Sequence, residues 1–109
     1  MNYTGKTKAE YKATWGTPIG KDCVSLDTTL CKWLGDRLVF SAANASGHPL
    51  RYSHKRWKRE LSENGNALLA WANHHDTDYG TNYNKETEDY ANAQRALRWV
   101  ARKLGTLWD

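Results

Sequence analysis

The sequence predicts an all-α protein, a compact bundle of three main helices with a short N-terminal helix or arm. Apolar residues recur at three- and four-residue intervals in three long stretches, near residues 25–44, 53–73 and 84–107. Turn-forming residues separate these stretches, as in NASGHP at residues 44–49. A chain of 109 residues has room for one modest core, so we expect a single domain over residues 1–109.

The N-terminal segment predicts a short helix over residues 7–15, which ends at Trp15. Pro18 follows, and it lies between Gly16 and Gly20. This spacing predicts a loop without regular structure. We expect the whole segment to lie over the core, anchored by Trp15.

The first main helix is predicted to begin at Ser25, which serves as the N-cap, and Asp27 suits the positive end of the helix dipole. Helical spacing predicts one apolar face, formed by Leu26, Leu30, Trp33 or Leu34, and Leu38. Gly35 costs about 1 kcal/mol relative to alanine in a helix interior. We therefore expect a kink or a break at that glycine.

The second main helix is predicted to follow Ser53 as N-cap, with Tyr52 and Trp57 forming a hydrophobic staple. The other main helices carry an acid in the first turn, but here the first acid is Glu60. The preceding residues include five basic side chains, His54, Lys55, Arg56, Lys58 and Arg59. Each exposed cation near a helix N-terminus costs about 0.3–1 kcal/mol. The pattern predicts an anion site; the alternative is a solvated basic face.

The apolar stripe of this helix continues to about Asn73, and the segment Asn64-Gly65-Asn66 predicts a bend. Residues 74–84, HHDTDYGTNYN, include four side chains of metal-binding type, His74, His75, Asp76 and Asp78. They resemble part of a calcium loop, but the glycine comes one position early and the closing glutamate is absent. We interpret the segment as an Asp- and Asn-rich turn and predict no metal site.

The last main helix is predicted to begin at Asn84, with Glu86 in its first turn. Its apolar stripe consists of Tyr90, Ala93, Leu97, Val100 or Ala101, Leu104 and Leu107. A neighbouring face carries Arg95, Arg98, Trp99 and Arg102. Guanidinium groups pair with phosphate and an indole can stack on a base, so this face is a candidate binding surface. The alternative is that arginine stems cover apolar surface and that Trp99 belongs to the core.

Charge is unevenly distributed along the chain, whose formal net charge is +4. Residues 51–75 carry five Lys or Arg and two acids. Residues 76–91 carry one Lys and five acids, and residues 92–109 carry four Lys or Arg and one acid. Two basic helices thus flank an acidic loop. This distribution favours anionic partners, such as a nucleotide, a nucleic acid or an acidic protein face.

Cys23 and Cys31 lack the second pair that a zinc motif needs, and we expect both to be reduced, with Cys31 helical and buried. The N-terminus has no apolar stretch of the signal-peptide type, and no apolar run approaches the length of a membrane span. We expect a cytoplasmic protein that is not membrane-associated and that needs no cofactor.

Several short motifs resemble a group of small proteins of unknown function encoded in phage and prophage genomes. They are Leu26-Asp27-Thr28-Thr29-Leu30, Trp33-Leu34, Arg37-Leu38, Gly47-His48-Pro49, Trp57 and the C-terminal Leu107-Trp108-Asp109. His48 stands where the group has tyrosine, and Asp36 where it has proline. The resemblance implies a helical fold and a phage setting, hence the host cell cytoplasm, and it brings no activity.

Catalytic motifs are missing, since the sequence contains no G-x-S-x-G, no P-loop and no H-E-x-x-H. We predict a protein that is not an enzyme, although its histidines leave a nuclease or phosphodiesterase as an open alternative. We expect a homo-oligomer that binds a nucleotide signal or a nucleic acid in a counter-defence role. The alternative function is a protein-binding inhibitor of a host immune or nucleic-acid-processing protein. The candidate ligand-binding residues are Arg37, His48, Arg51, Lys55, Arg56, Arg95, Arg98, Trp99 and Arg102.

Overall fold

The computed structural model describes residues 8–73 and 83–107, and the predicted all-α fold is confirmed within them. Their regular structure consists of helices α1 (Lys8–Trp15), α2 (Pro18–Cys23), α3 (Leu26–Asn44), α4 (His54–Ala72) and α5 (Tyr83–Lys103), with a 3₁₀ turn at Leu104–Thr106. The metal-type side chains of residues 74–78 and the terminal Trp108-Asp109 lie outside the described residues.

The three main helices are antiparallel neighbours, with α4 between α3 and α5. The indole Nε1 of Trp71, near the end of α4, donates to Asp27 Oδ2 at the start of α3 over 3.1 Å. The Trp71 ring also lies 5.1 Å from Tyr90, near the start of α5. At the other end of the bundle, the Trp57 and Trp99 rings are 5.5 Å apart. Close contacts join α4 to both neighbours, and they are few between α3 and α5 in the described residues.

The core lies along α4 and is small. Trp57 is 2% exposed and Leu68 is fully buried. Trp57 packs against Tyr52 with ring centroids 5.3 Å apart and nearly perpendicular planes, which confirms the predicted staple. The other buried apolar side chains are Cys31, Leu38, Ala42, Leu61, Ala93, Ala96 and Trp99. This set comes from all three main helices.

Two glycines bring α3 and α4 together. Gly35 and Gly65 are both buried, and α3 and α4 each continue through them as one helix, without the break considered at Gly35. A Cβ atom at Gly35 would stand 2.9 Å from the Gly65 carbonyl oxygen, and one at Gly65 would stand 2.8 Å from Val39 Cγ2. These positions hold glycine because the two backbones touch there.

The N-terminal segment differs from the prediction in two ways. Residues 18–23 form a helix instead of a loop, because Thr17 Oγ1 accepts the Gly20 amide as an N-cap over 3.0 Å and proline is favourable at the first helical position. The segment also does not lie over the core. In the described residues α1 packs on α2 and α2 on α3, which makes an arm at one end of the bundle.

The start of α3 is capped differently from the prediction. Ser25 occupies the N-cap position but has a left-handed backbone, with φ of 54°, and its side chain makes no capping hydrogen bond. Its carbonyl oxygen instead accepts the Thr28 hydroxyl over 2.9 Å. In contrast, Ser53 caps α4 as predicted, since its hydroxyl accepts the Arg56 amide over 3.1 Å.

The apolar face predicted for α3 is only partly the buried one. Leu38 is buried and Leu34 is half-buried, as expected. The contact with α4 otherwise uses small residues, namely Cys31, Gly35 and Ala42. Four other large apolar side chains of α3 remain exposed, at 57% for Leu26, 46% for Leu30, 55% for Trp33 and 69% for Phe40.

Both cysteines are free, as predicted. Cys23 is exposed at the end of α2, whereas Cys31 is buried in α3. Burial raises the pKa of the Cys31 thiol, and the nearby Asp27 carboxylate adds to the effect. The Cys31 thiol therefore stays protonated and behaves as a small apolar core residue. No described helix has the length and apolar character needed to cross a membrane.

Candidate functional site

Cationic side chains gather where α4 begins and α5 ends, and we call this region the basic end. It comprises Arg51, His54, Lys55, Arg56 and Lys58 around the start of α4, with Arg102 and Lys103 from the end of α5. The first turn of α4 contains no acid. Arg51, His54, Lys55 and Arg102 are all exposed. This region therefore presents several cations to solvent beside a helix N-terminus.

Tyr52 links the two helices of the basic end. The Arg56 guanidinium carbon lies 4.4 Å from the centre of its ring, and Lys103 Nζ lies 4.8 Å from the same centre. Both distances fall within the range of cation–π attraction. Tyr52 thus holds one cation from each helix close to its ring. The sequence analysis did not select Lys103, because the approach of the two helix ends is a tertiary contact.

Beneath this surface, one carboxylate receives three donors. Glu60 accepts hydrogen bonds from the Tyr52 hydroxyl over 2.8 Å, from Trp99 Nε1 over 2.9 Å and from Arg56 Nε over 2.8 Å. Its side chain is 17% exposed. Burial alone would raise the pKa of Glu60, but hydrogen bonds from Trp99, Tyr52 and Arg56 outweigh burial, and the net pKa is lowered. Glu60 is therefore held ionised and ties the start of α4 to α5.

The Glu60 contacts change the interpretation of two candidate ligand-binding residues. Trp99 is 6% exposed and packs on Trp57, so the alternative of a core tryptophan describes its position. Its indole face is not open to a base. Arg56 is half-exposed but is bonded to Glu60 and lies over Tyr52, so any ligand would meet a guanidinium that already has partners.

The three arginines of α5 are spread along its exposed surface. Arg95 donates from Nη1 to Asn92 Oδ1 over 2.7 Å, and Arg98 and Arg102 are exposed. Seven residues separate Arg95 from Arg102, which amounts to about 10 Å along a helix. Of the three, only Arg102 stands at the end of α5 that approaches Tyr52, and the contact there is made by Lys103.

His48 and Arg37 complete the predicted set. His48 lies in the loop before α4, with its ring 6.3 Å from that of His54 and Nδ1 3.1 Å from the Pro49 carbonyl oxygen. Arg37 lies on α3, where its guanidinium sits 4.1 Å from the centre of the Trp33 ring and donates to the Trp33 carbonyl oxygen over 3.0 Å. His48 thus borders the basic end, while Arg37 belongs to a separate surface.

Arg37 and Trp33 border an open groove of about 500 Å³ between α3 and the end of α4. Its polar lining includes an ion pair, because Lys32 Nζ lies 3.2 Å from Asp36 Oδ2. The remaining lining residues are Thr28, Thr29, Ala72 and Asn73. Lys32 and Arg37 face a single acid, Asp36, so the groove has an excess of one cation, fewer than the basic end. Across residues 8–73 and 83–107, no group of three or more His, Cys, Asp or Glu side chains is placed to hold a metal ion.

Comparison with known proteins finds no counterpart: no protein-family model, no curated protein and no solved structure matches the chain.

Proposed function

We propose that this is a small, non-catalytic accessory protein that binds an anionic ligand at the basic end. The observation that carries the proposal is the first turn of α4, where exposed His54 and Lys55 stand at a helix N-terminus with no acid among them. The end of α5 adds Lys103, whose Nζ lies 4.8 Å from the centre of the Tyr52 ring. Cations from two helices and the free amides of α4 together attract negative charge.

The chemistry of the basic end favours phosphate over a carboxylate face or a stacked base. Exposed Arg51 and Lys55 supply donors suited to phosphate oxygens. Trp99 lies in the core, so stacking contributes less than the sequence suggested. The ligand class is therefore a phosphate-bearing molecule, either a small nucleotide or the backbone of a nucleic acid, held mainly by charge.

A charge reversal at Lys55 tests this proposal. Lys55→Glu places an acid in the first turn of α4, where it suits the dipole, so thermal stability should rise slightly. Affinity for a cyclic dinucleotide or a short single-stranded oligonucleotide, measured by calorimetric titration, should fall at least about tenfold, or about 1.4 kcal/mol. Arg56→Glu is a poorer probe, because it would bring a second carboxylate against Glu60 and lower stability.

Lys8→Glu is the matched control, since Lys8 is exposed on α1 in the N-terminal arm. It makes the same change in net charge at a different place and should leave affinity within about twofold. Equal losses of affinity in both variants would mean that binding depends only on the overall charge of the protein. Unchanged binding in Lys55→Glu would reject the basic end as a site.

The biological role we propose is counter-defence, in which the protein sequesters a nucleotide signal. It rests on the resemblance to phage-encoded proteins and on the cation pattern.

A second candidate, inhibition of a host protein by direct binding, is favoured by the exposed tryptophan, arginine and phenylalanine of α3, which are residue types common in interfaces. Protein purified from producing cells should carry a nucleotide that absorbs at the ultraviolet maximum of bases. A pure preparation that lacks nucleotide and also fails to bind it favours the inhibitor.

A further inference from the structure

Helix α3 has two apolar faces, and only one of them is covered by the described residues 8–73 and 83–107. The buried face consists of Cys31, Gly35, Leu38 and Ala42. The other consists of Leu26, Leu30, Trp33 and Phe40, and we call it the α3 seam. At about 100° per residue, the two faces point roughly 150° apart around the helix. The larger side chains are on the uncovered face, which is the reverse of what an isolated bundle needs.

The α3 seam has the spacing of a helix–helix contact. Its members follow one another at intervals of four, three and seven residues. This is the heptad spacing in which two helices pack side by side, with Leu26, Trp33 and Phe40 at equivalent positions. Arg37 falls in the same row, and its guanidinium lies over the Trp33 ring. A seam of this kind has the regularity that a partner helix requires.

The exposed area is of the size that a stable interface uses. The Trp33 and Phe40 rings are 55% and 69% exposed, which leaves about 100 Å² or more of each in water. With the two leucines, the seam presents on the order of 400 Å² of apolar surface per chain, near the apolar share of a standard interface of about 800 Å² per partner. A patch of this size matches the largest apolar patch on a typical soluble monomer, about 300–600 Å², and such patches are often functional.

The shape and charge of the molecule indicate which partner fits. The radius of gyration is 17.5 Å, against about 13 Å for a rounded domain of this length, so the molecule is extended and leaves much helical surface exposed. The charges of α3 cancel, because Asp27 and Asp36 balance Lys32 and Arg37. Two copies of a chain with net charge +4 can therefore approach through α3 with little repulsion.

We propose that the α3 seam is the interface of a homodimer in which two α3 helices pack antiparallel about a two-fold axis. A parallel arrangement would set Arg37 against Arg37 of the partner subunit, which like charges oppose. In the antiparallel arrangement centred on Trp33, Leu26 faces Phe40 of the partner subunit. Arg37 then lies near Leu30 of the partner subunit, away from the second Arg37. A two-fold interface of this type repeats each contact twice. The inference does not depend on the proposed ligand.

Sedimentation equilibrium of the full chain tests the dimer. The wild type should have twice the chain mass of 12.5 kDa. Phe40→Glu should raise the dimer dissociation constant at least about 100-fold, because the contact is lost twice. Circular dichroism should remain unchanged, since Phe40 is 69% exposed within the single chain. Leu50→Glu is the matched control: Leu50 is 90% exposed outside α3 and should not affect association.

A compensating variant tests the orientation and protects against a Phe40→Glu chain that fails to fold. Leu26→Lys combined with Phe40→Glu should restore the dimer, because each lysine then faces a glutamate of the other subunit. In a parallel dimer the same pair would not restore it. A wild type that stays monomeric up to about 1 mM, or a dimer that survives Phe40→Glu, would overturn the proposal. A monomeric wild type would leave the seam to a different protein partner.

Discussion

At the scale of single residues, the Glu60 carboxylate joins three parts of the described structure. It takes hydrogen bonds from the loop before α4, from α4 itself and from α5. Charge-assisted hydrogen bonds of this kind are shorter and stronger than neutral ones. Arg56, which the sequence suggested as a ligand residue, is therefore also part of the internal structure of the bundle.

We expect the stability of the protein to depend on Glu60 and on pH. The folded-state pKa of Glu60 is lowered, so its contribution is fully present above the unfolded pKa of about 4.3 and is lost as pH falls through the folded pKa. Glu60→Gln should lower the free energy of unfolding by about 1.5–3 kcal/mol at neutral pH. The variant should also lose less stability than the parent between neutral and acidic pH, as measured by urea unfolding.

Glu63→Gln is the control for this experiment, because Glu63 is 66% exposed and its contact with Arg59 is a loose 3.8 Å. It should unfold with nearly the parent's stability and acid profile. Identical acid profiles for Glu60→Gln and the parent would show that the carboxylate network adds nothing to folding.

Some of these residue roles were accessible from sequence and others were not. The staple of Tyr52 and Trp57 follows from local order around Ser53, and it is present as predicted. The burial of Trp99 depends on which side of α5 faces α4, and the apolar stripe and the arginine face of α5 are neighbours along the helix. Helical spacing alone does not decide between two adjacent faces.

At the scale of elements, the pairing of α3 with α4 depends on residues that have no side chain. A sequence analysis treats Gly35 and Gly65 as weak points, because glycine lowers helix stability. Their value appears only when the two backbones cross, since the close approach leaves no room for a Cβ atom. The same crossing explains why α3 turns its small residues toward α4 and its large ones outward.

Alanine substitutions should distinguish the two kinds of glycine. Gly65→Ala would gain about 1 kcal/mol from helix propensity alone, yet the new Cβ would lie 2.8 Å from Val39 Cγ2 and 3.0 Å from the Gly35 carbonyl oxygen. We expect a net loss of about 1–3 kcal/mol in urea unfolding, as for other overpacked sites. Gly105→Ala is the control, because nothing lies within 4 Å of its added Cβ. If Gly65→Ala were instead more stable than the parent, the close contact between α3 and α4 at this glycine would contribute nothing to the free energy of unfolding.

The helix boundaries could be predicted where the local sequence signals were strong. The three main helices lie close to their predicted positions because their turns and apolar spacing agree. The helix at residues 18–23 was missed because proline was weighed as a breaker, although Thr17 before it supplies a cap. The exposed seam of α3 could not be recognised, since two stripes on one helix look alike before the neighbours are known.

At the scale of the whole molecule, the bundle is a slab. It measures 55 × 36 × 20 Å, so its thin dimension is about two helix diameters. A slab leaves much of α3 and α5 in solvent, and the basic end and the α3 seam lie on different parts of that surface. The anionic ligand and the second copy of the chain that we propose would therefore not compete for the same residues.

The position of α4 between α3 and α5 also sets the order in which parts of the molecule open. Amides near Leu61 and Leu68 can exchange with solvent only when both neighbours leave, so they should exchange at the rate of global unfolding. In the described residues α1 packs on α2 and α2 on α3, so the amides of this arm should exchange through local opening. Hydrogen–deuterium exchange read by mass spectrometry should show this gradient, and equal protection in the arm and in α4 would contradict it. The arm can then detach and rejoin while α4 holds the rest of the chain folded.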